Sequence, residues 1–189
     1  LFEKVEEINK NQPITFFEIL TACFFYKAAE YPDNINLVES GLFFRFDATN
    51  ILKKNLASII TSISKDHLDW LPNSEQTIER IVFEKTSALL DSNIIIAKQN
   101  DKPTMNLIKK TIKKNKSNKI YYDKEYFFKK NEDNSFYFKD EKGGLKLPKP
   151  NVLGQFQLEN ISTAIATLRL LNLDIKDNHI KNGIQKINN

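Results

Sequence analysis

Apolar positions along this chain follow two rhythms. Through residues 1–122 they recur at helical spacing or in short unbroken runs. Residues 1–9 place Phe2, Val5 and Ile8 on one helical face, with acids and lysines between them. Asn11-Gln12-Pro13 breaks that helix, and Thr15 with Glu18 three residues on makes a capping-box start for the next. Behind it Phe16, Phe17, Ile19, Leu20, Cys23 and Phe24 are apolar around most of the girth, which predicts a helix buried against a sheet. Residues 35–38 have the length of a buried strand, and residues 56–63 are a second, β-branched one. A helix over 74–90 with Ser74 as N-cap, a strand over 93–97, a helix from Pro103 to about Lys114 and a strand over 119–122 follow. Strands alternating with helices predict an α/β fold: a mainly parallel sheet flanked by helices.

Between residues 126 and 147 the period becomes two. Tyr126-Phe127-Phe128, Phe136-Tyr137-Phe138 and Leu145-Lys146-Leu147 are separated by turn-forming residues. This predicts a small antiparallel β subdomain over 123–148, beside the main sheet. Pro148, Pro150 and Gly154 mark a linker, residues 157–171 a helix, and Asp177 caps a last helix over 178–187.

Composition adds little direction. The chain has 189 residues, 41% hydrophobic and 28% charged, with a net charge of +4. Lysine is frequent along its whole length, so a solvated basic surface accounts for the charge better than a nucleic-acid interface. The single cysteine, Cys23, excludes an internal disulfide and reads as a buried thiol compatible with a reducing cytoplasm. No apolar run is long enough to span a membrane and no signal segment opens the chain. A cytoplasmic monomer is expected. Leu1 at the start, and the stop just after an amphipathic helix, read as cut ends.

Candidate chemistry gathers where predicted strands end. Glu39 follows the run at 35–38 and is succeeded by Gly41, Arg45 and Asp47-Ala48-Thr49-Asn50. Open α/β sheets place ligands at the carboxyl ends of their strands, and a glutamate there can hold Mg²⁺; a strand leading into an Asx-capped loop is the structural alternative. Asp66-His67 follows the second strand, so Glu39 and His67 are a candidate two-ligand Mg²⁺ site. Lys85 falls near an apolar helical stripe, where it must snorkel or pair with Glu84 or Asp66. His179 reads as exposed. The chain has no zinc spacing, no dinucleotide fingerprint and no G-x-x-x-x-G-K-[ST] loop.

Five stretches, in order, resemble the central ATPase domain of the folylpolyglutamate synthase/dihydrofolate synthase family of the Mur ligase superfamily, a P-loop NTPase-like fold. Thr15-Phe16-Phe17-Glu18 with Thr21-Ala22 is similar to the family's [T/S]-F-F-E-x-x-T-A. Glu39-Ser40-Gly41-Leu42 with Arg45-Phe46-Asp47-Ala48-Thr49-Asn50 is similar to E-V-G-L-G-G-R-L-D-A-T-N. Ile60-Thr61-Ser62-Ile63 with Asp66-His67, residues 81–85, and Gln157 to Asn160 with Thr163-Ala164 complete the series.

The resemblance implies an ATP-dependent carboxylate–amine ligase of folate biosynthesis. Such an enzyme adds L-glutamate to dihydropteroate or reduced folates through an acyl phosphate. It implies Mg²⁺ on Glu39 and His67, a carbamylated Lys85, nucleotide contact by Asn160, and a pteroate or folate pocket lined by Thr15, Phe16, Phe17, Glu18, Phe46, Asp47 and Ala48. It also implies a P-loop upstream of Leu1 and a C-terminal domain beyond Asn189, so that this piece alone would be inactive. The chain departs from the family where Phe43-Phe44 replaces Gly-Gly, Thr86-Ser87-Ala88 replaces A-G-I, and Phe156 replaces a histidine. A non-catalytic remnant of such a ligase and a basic nucleic-acid-binding module are the competing readings.

Overall fold

A computed structural model describes residues 1–152, 154 and 156–187. The chain divides into two compact units, Leu1–Leu52 and Lys53–Asn189.

The first unit holds two helices, α1 (Phe2–Asn9) and α2 (Phe16–Ala28). They pack on each other through Val5, Ile19 and Cys23, with Ala22 beside them. The predicted capping box is present at Thr15 and Glu18, and Cys23 is buried and free. The girdle of aromatics on α2 is not buried as its pattern predicted. Phe16 is 75% exposed, and Phe17, Leu20, Phe24 and Tyr26 are also exposed. The strand predicted over 35–38 is absent as well. Residues 35–40 carry no regular structure, and Leu37 is 88% exposed. A strand exists through ladder bonds to a neighbour, and the unit offers none among its described residues. An apolar run alone does not supply that partner.

The second unit contains both predicted sheets. Strands β1 (Ala57–Ile60), β2 (Asn93–Ile96) and β3 (Lys119–Tyr121) form a parallel sheet in that order. Ile94, Ile95 and Ile96 are fully buried, as expected of a central parallel strand covered on both faces. β1 is shorter than the predicted 56–63, because pairing with β2 stops at Ile60↔Ile96. The helix predicted from Ser74 begins later, as α3 (Ile78–Thr86). Asn73–Glu75 is a 3-10 turn, and Thr77 is the N-cap that accepts from Arg80 N. α4 (Lys102–Thr111) continues into a 3-10 turn ending at Lys114, close to expectation, and packs beside α3.

Strands β4 (Phe127–Lys130), β5 (Phe136–Asp140) and β6 (Gly143–Leu147) form the predicted antiparallel meander. α5 (Phe156–Leu170) and α6 (Asp177–Lys186) close the unit, with Asp177 as the first helical residue rather than the cap. One core joins these layers: Ile95, Tyr126, Phe136, Phe138, Leu158 and Ile165 belong to a single buried cluster. Tyr126 fixes α5 to the parallel sheet, its hydroxyl bonded to Ile96 O at 3.1 Å and lying 3.2 Å from Thr163 Oγ1.

Candidate functional site

In the first unit the sequence-predicted residues fall on the start of α2 and on the loop over residues 39–50. Thr15 N and Oγ1 both donate to Glu18 Oε2, at 2.8 and 2.6 Å, and Glu18 N returns a bond to Thr15 Oγ1 at 3.2 Å. Those bonds favour the ionised carboxyl and hold the Glu18 pKa below its ordinary value. Thr15 and Glu18 therefore cap α2, while Phe16 and Phe17 stand outward from its first turn.

The loop is organised by Asp47. Its Oδ2 accepts from Gly41 N at 2.9 Å, and its Oδ1 accepts from Thr49 N at 2.9 Å and from Thr49 Oγ1 at 2.5 Å. Asn50 Nδ2 closes the far side on Arg45 O at 3.1 Å. A Cβ at Gly41 would meet Asp47 Oδ2 at 3.1 Å and the Phe17 ring at 3.6 Å, so a side chain there would crowd the carboxylate that ties the loop. Arg45 lies over the Phe46 ring, 4.0 Å from its centroid, and Phe46 is 83% exposed. Glu39 is exposed, and Ala48 half-buried. The D-A-T-N motif thus folds its own loop and presents an aromatic and a carboxylate outward.

In the second unit the chain beyond β1 brings three predicted groups together. His67 has a left-handed backbone, φ 57°, and starts a short 3-10 turn over Leu68–Trp70. Asp66 reaches it twice: Oδ1 accepts from His67 N at 2.8 Å, and Oδ2 lies 3.4 Å from His67 Nε2. Asp66 also acts on Lys85 of α3. Burial depresses the Lys85 pKa from its usual range, and the Asp66 carboxylate partly opposes that shift. Glu84, the other expected partner, is buried against Arg80 at 2.6 Å. Asn160 is exposed on the first turn of α5 and donates to Gln157 Oε1 at 3.3 Å. Beside it Glu159 accepts from Lys98, just past β2, at 2.9 Å.

Sequence reasoning missed the Lys98–Glu159 pair. Its partners lie 61 positions apart, and only a lysine just past an isoleucine strand hints at it. Glu39 belongs to the first unit and His67 to the second. Among the described residues, no group of three His, Cys, Asp or Glu side chains comes together to hold a metal ion. No helix among the described residues is long and apolar enough to cross a membrane.

Residues 45–168 match the Mur ligase middle domain. This chain belongs to that family. The dihydrofolate synthase/folylpolyglutamate synthase of Haemophilus influenzae is 31% identical over 188 residues, covering 95% of this chain and 39% of the relative. The Bacillus subtilis protein of the same name is 29% identical over 195 residues, covering 97% and 44%. Among solved structures, E. coli FolC in complex with ADP, without folate substrate, superposes with a TM-score of 0.78 at 29% identity, covering 98% of this chain and 43% of that one. The apo form of L. casei FPGS superposes with a TM-score of 0.82 at 18% identity over 97% and 46%, a likeness of fold. The chain spans about two fifths of the length of the curated relatives it matches.

Proposed function

We propose that this chain is the central part of an ATP-dependent amide ligase that joins L-glutamate to dihydropteroate or a reduced folate. Supporting it most directly is the cluster beyond β1, where Asp66 faces both His67 and a lysine whose charge is disfavoured by burial. The named relatives add to it: each of the first three is a dihydrofolate synthase/folylpolyglutamate synthase.

In this reading ATP phosphorylates the substrate carboxylate, the glutamate amine attacks the acyl phosphate, and phosphate leaves. Bound Mg²⁺ supplies charge neutralisation on the transferring phosphoryl oxygens. Glu39 and His67 are its protein ligands, with Asp66 orienting the His67 ring. The depressed Lys85 pKa raises the share of neutral amine, the form that adds to CO₂ with loss of a proton to give a carbamate anion. Asn160 contacts the nucleotide, and the Lys98–Glu159 pair fixes the helical turn that carries it. Phe16, Phe17, Phe46 and Ala48 supply apolar surface for the pteridine or aryl ring, while Thr15, Glu18 and Asp47 hold the backbone beneath them. The ligase works as a cytoplasmic monomer on small molecules, not on nucleic acid.

Trapping the acyl phosphate tests this. With the ligase polypeptide that carries this chain, ATP and hydroxylamine convert dihydropteroate or folate to its hydroxamate only if the carboxylate is phosphorylated. Absence of hydroxamate from both substrates, with ATP and Mg²⁺ present, would overturn the ligase reading and leave the non-catalytic remnant, a reading favoured by Phe43-Phe44.

A further inference from the structure

The antiparallel sheet has two faces of opposite character. Its register sets Phe128 beside Phe138 and Leu145, and Phe136 beside Leu147, on the face that packs into the core with α5. The alternate residues make the other face in two rows: Phe127, Lys139 and Gly144, then Lys129, Tyr137 and Lys146. Five of the six are exposed, and Tyr137 is half-buried.

Neither row contains a carboxylate. The whole chain carries 24 acids against 28 basic residues, so an ordinary solvated face would mix both signs. Opposite charges facing across strands would also stabilise such a face. Here Lys129 and Lys146 flank Tyr137 from the two neighbouring strands, about 10 Å apart at two strand spacings. None of the three lysines forms an ion pair among the described residues. The nearest acids lie off the rows. Asp133 is bonded by Ser135 and Asp140 by Arg169, while Glu132 and Glu141 stand in the two turns.

Tyr137 is held in a set position. A Cβ at Gly144 would collide with its ring and hydroxyl, so the ring leans along the sheet into the space that Gly144 leaves. An aromatic shelf between cations suits a polyanion whose every unit carries a flat π face, which is the chemistry of a single nucleic-acid strand. A duplex groove admits a helix or a two-stranded ribbon, and this sheet is three strands wide. An anionic membrane asks for side chains that reach into it, whereas most of Phe127 is covered.

We propose that this face of the antiparallel sheet binds single-stranded nucleic acid, with bases stacked on Tyr137 and Phe127 and phosphates taken by Lys129, Lys139 and Lys146. The strand is held there and not processed. The face includes none of the residues assigned to the ligase reading and does not depend on it.

The probe is fluorescein-labelled oligo(dT) of about ten nucleotides, a usual span for such platforms, titrated into the 189-residue chain and followed by anisotropy and amide NMR. Saturable shifts centred on Tyr137, Lys139 and Lys146 are expected. Log affinity should fall against log salt with a slope of roughly 2, the value for three phosphates. Lys129→Gln and Lys146→Gln should each lower that slope by roughly 0.7. Tyr137→Leu still covers Gly144 and should weaken binding about tenfold through lost stacking. Both lysines are exposed, so their variants test the face even if Tyr137→Leu disturbs the sheet. No saturation, shifts centred on the lysines of α4, or affinity unchanged by Lys146→Gln and Tyr137→Leu would overturn the proposal. Heparin, a polyanion without bases, binding as tightly and untouched by Tyr137→Leu would overturn it too. So would phosphatidylserine vesicles bound in place of the oligonucleotide, which would make this a membrane surface.

Discussion

The loop over residues 39–50 and the turn beyond β1 both carry residues suited to chemistry, yet they are held by different forces. In the loop, one carboxylate does most of the work: Asp47 gathers Gly41 and Thr49 while Phe46 and Glu39 stay exposed. The turn instead rises from a packed base. Ile60, Ile81, Val82 and Ile94 through Ile96, on β1, α3 and β2, are buried, and burial extends to Lys85. A hydrogen-bonded loop changes shape when one acceptor is lost. A turn seated on a core keeps its shape, and burial shifts the ionisation of the lysine beside it.

The largest expected effect falls on the packed side. Ile95→Ala opens a cavity in a wholly buried strand and should cost about 3 kcal/mol in the second unit, read from chemical denaturation. The midpoint read from amide resonances of α1 and α2 should be the same with and without the substitution. A denaturation midpoint at α1 and α2 that shifts together with that of the second unit would show that the units are energetically one.

Asp47→Ala should cost about 2 kcal/mol of loop stability, because three donors lose an acceptor that carries charge. Faster hydrogen exchange at Gly41 and Thr49, with β2 unchanged, is the expected readout. Exchange unchanged at both amides would mean that packing, not Asp47, holds the loop.

The smallest effect concerns Lys85. Burial lowers its pKa, so at low pH native and unfolded chains are both protonated and the desolvation cost is present in full. As pH rises past the folded value, the native state releases its proton first and the cost is relieved until the ordinary lysine value of 10.5. Stability contributed by this group therefore rises with pH across that window. Lys85→Met should flatten the rise; an unchanged slope in denaturation midpoints would place the titration elsewhere.

How much of this was legible in the sequence follows the same division. The meander could be read because period-two runs and turn residues name antiparallel strands locally, and α4 because Pro103 marks its start. The strand at 35–38 could not, since its existence depended on a partner outside the run. Ser74 and Thr77 are both acceptable caps, and only the 3-10 turn at Asn73–Glu75 decides for Thr77. In the site, Asp66 and His67 are neighbours and Lys85 stood out as a cation on an apolar stripe. Lys98–Glu159 and Arg169–Asp140 join distant segments and become visible only once the sheets are assembled.

Titration of the chain with ADP, in the presence and absence of Mg²⁺ and followed by amide NMR, tests the central claim most directly. The account predicts saturable, Mg²⁺-dependent shifts centred on His67, Lys85 and Asn160, weakened by Glu39→Ala. Shifts indifferent to Mg²⁺ and to Glu39→Ala, spread instead over the exposed lysines of α4, would contradict it and reduce the nucleotide to a counter-ion of a basic surface.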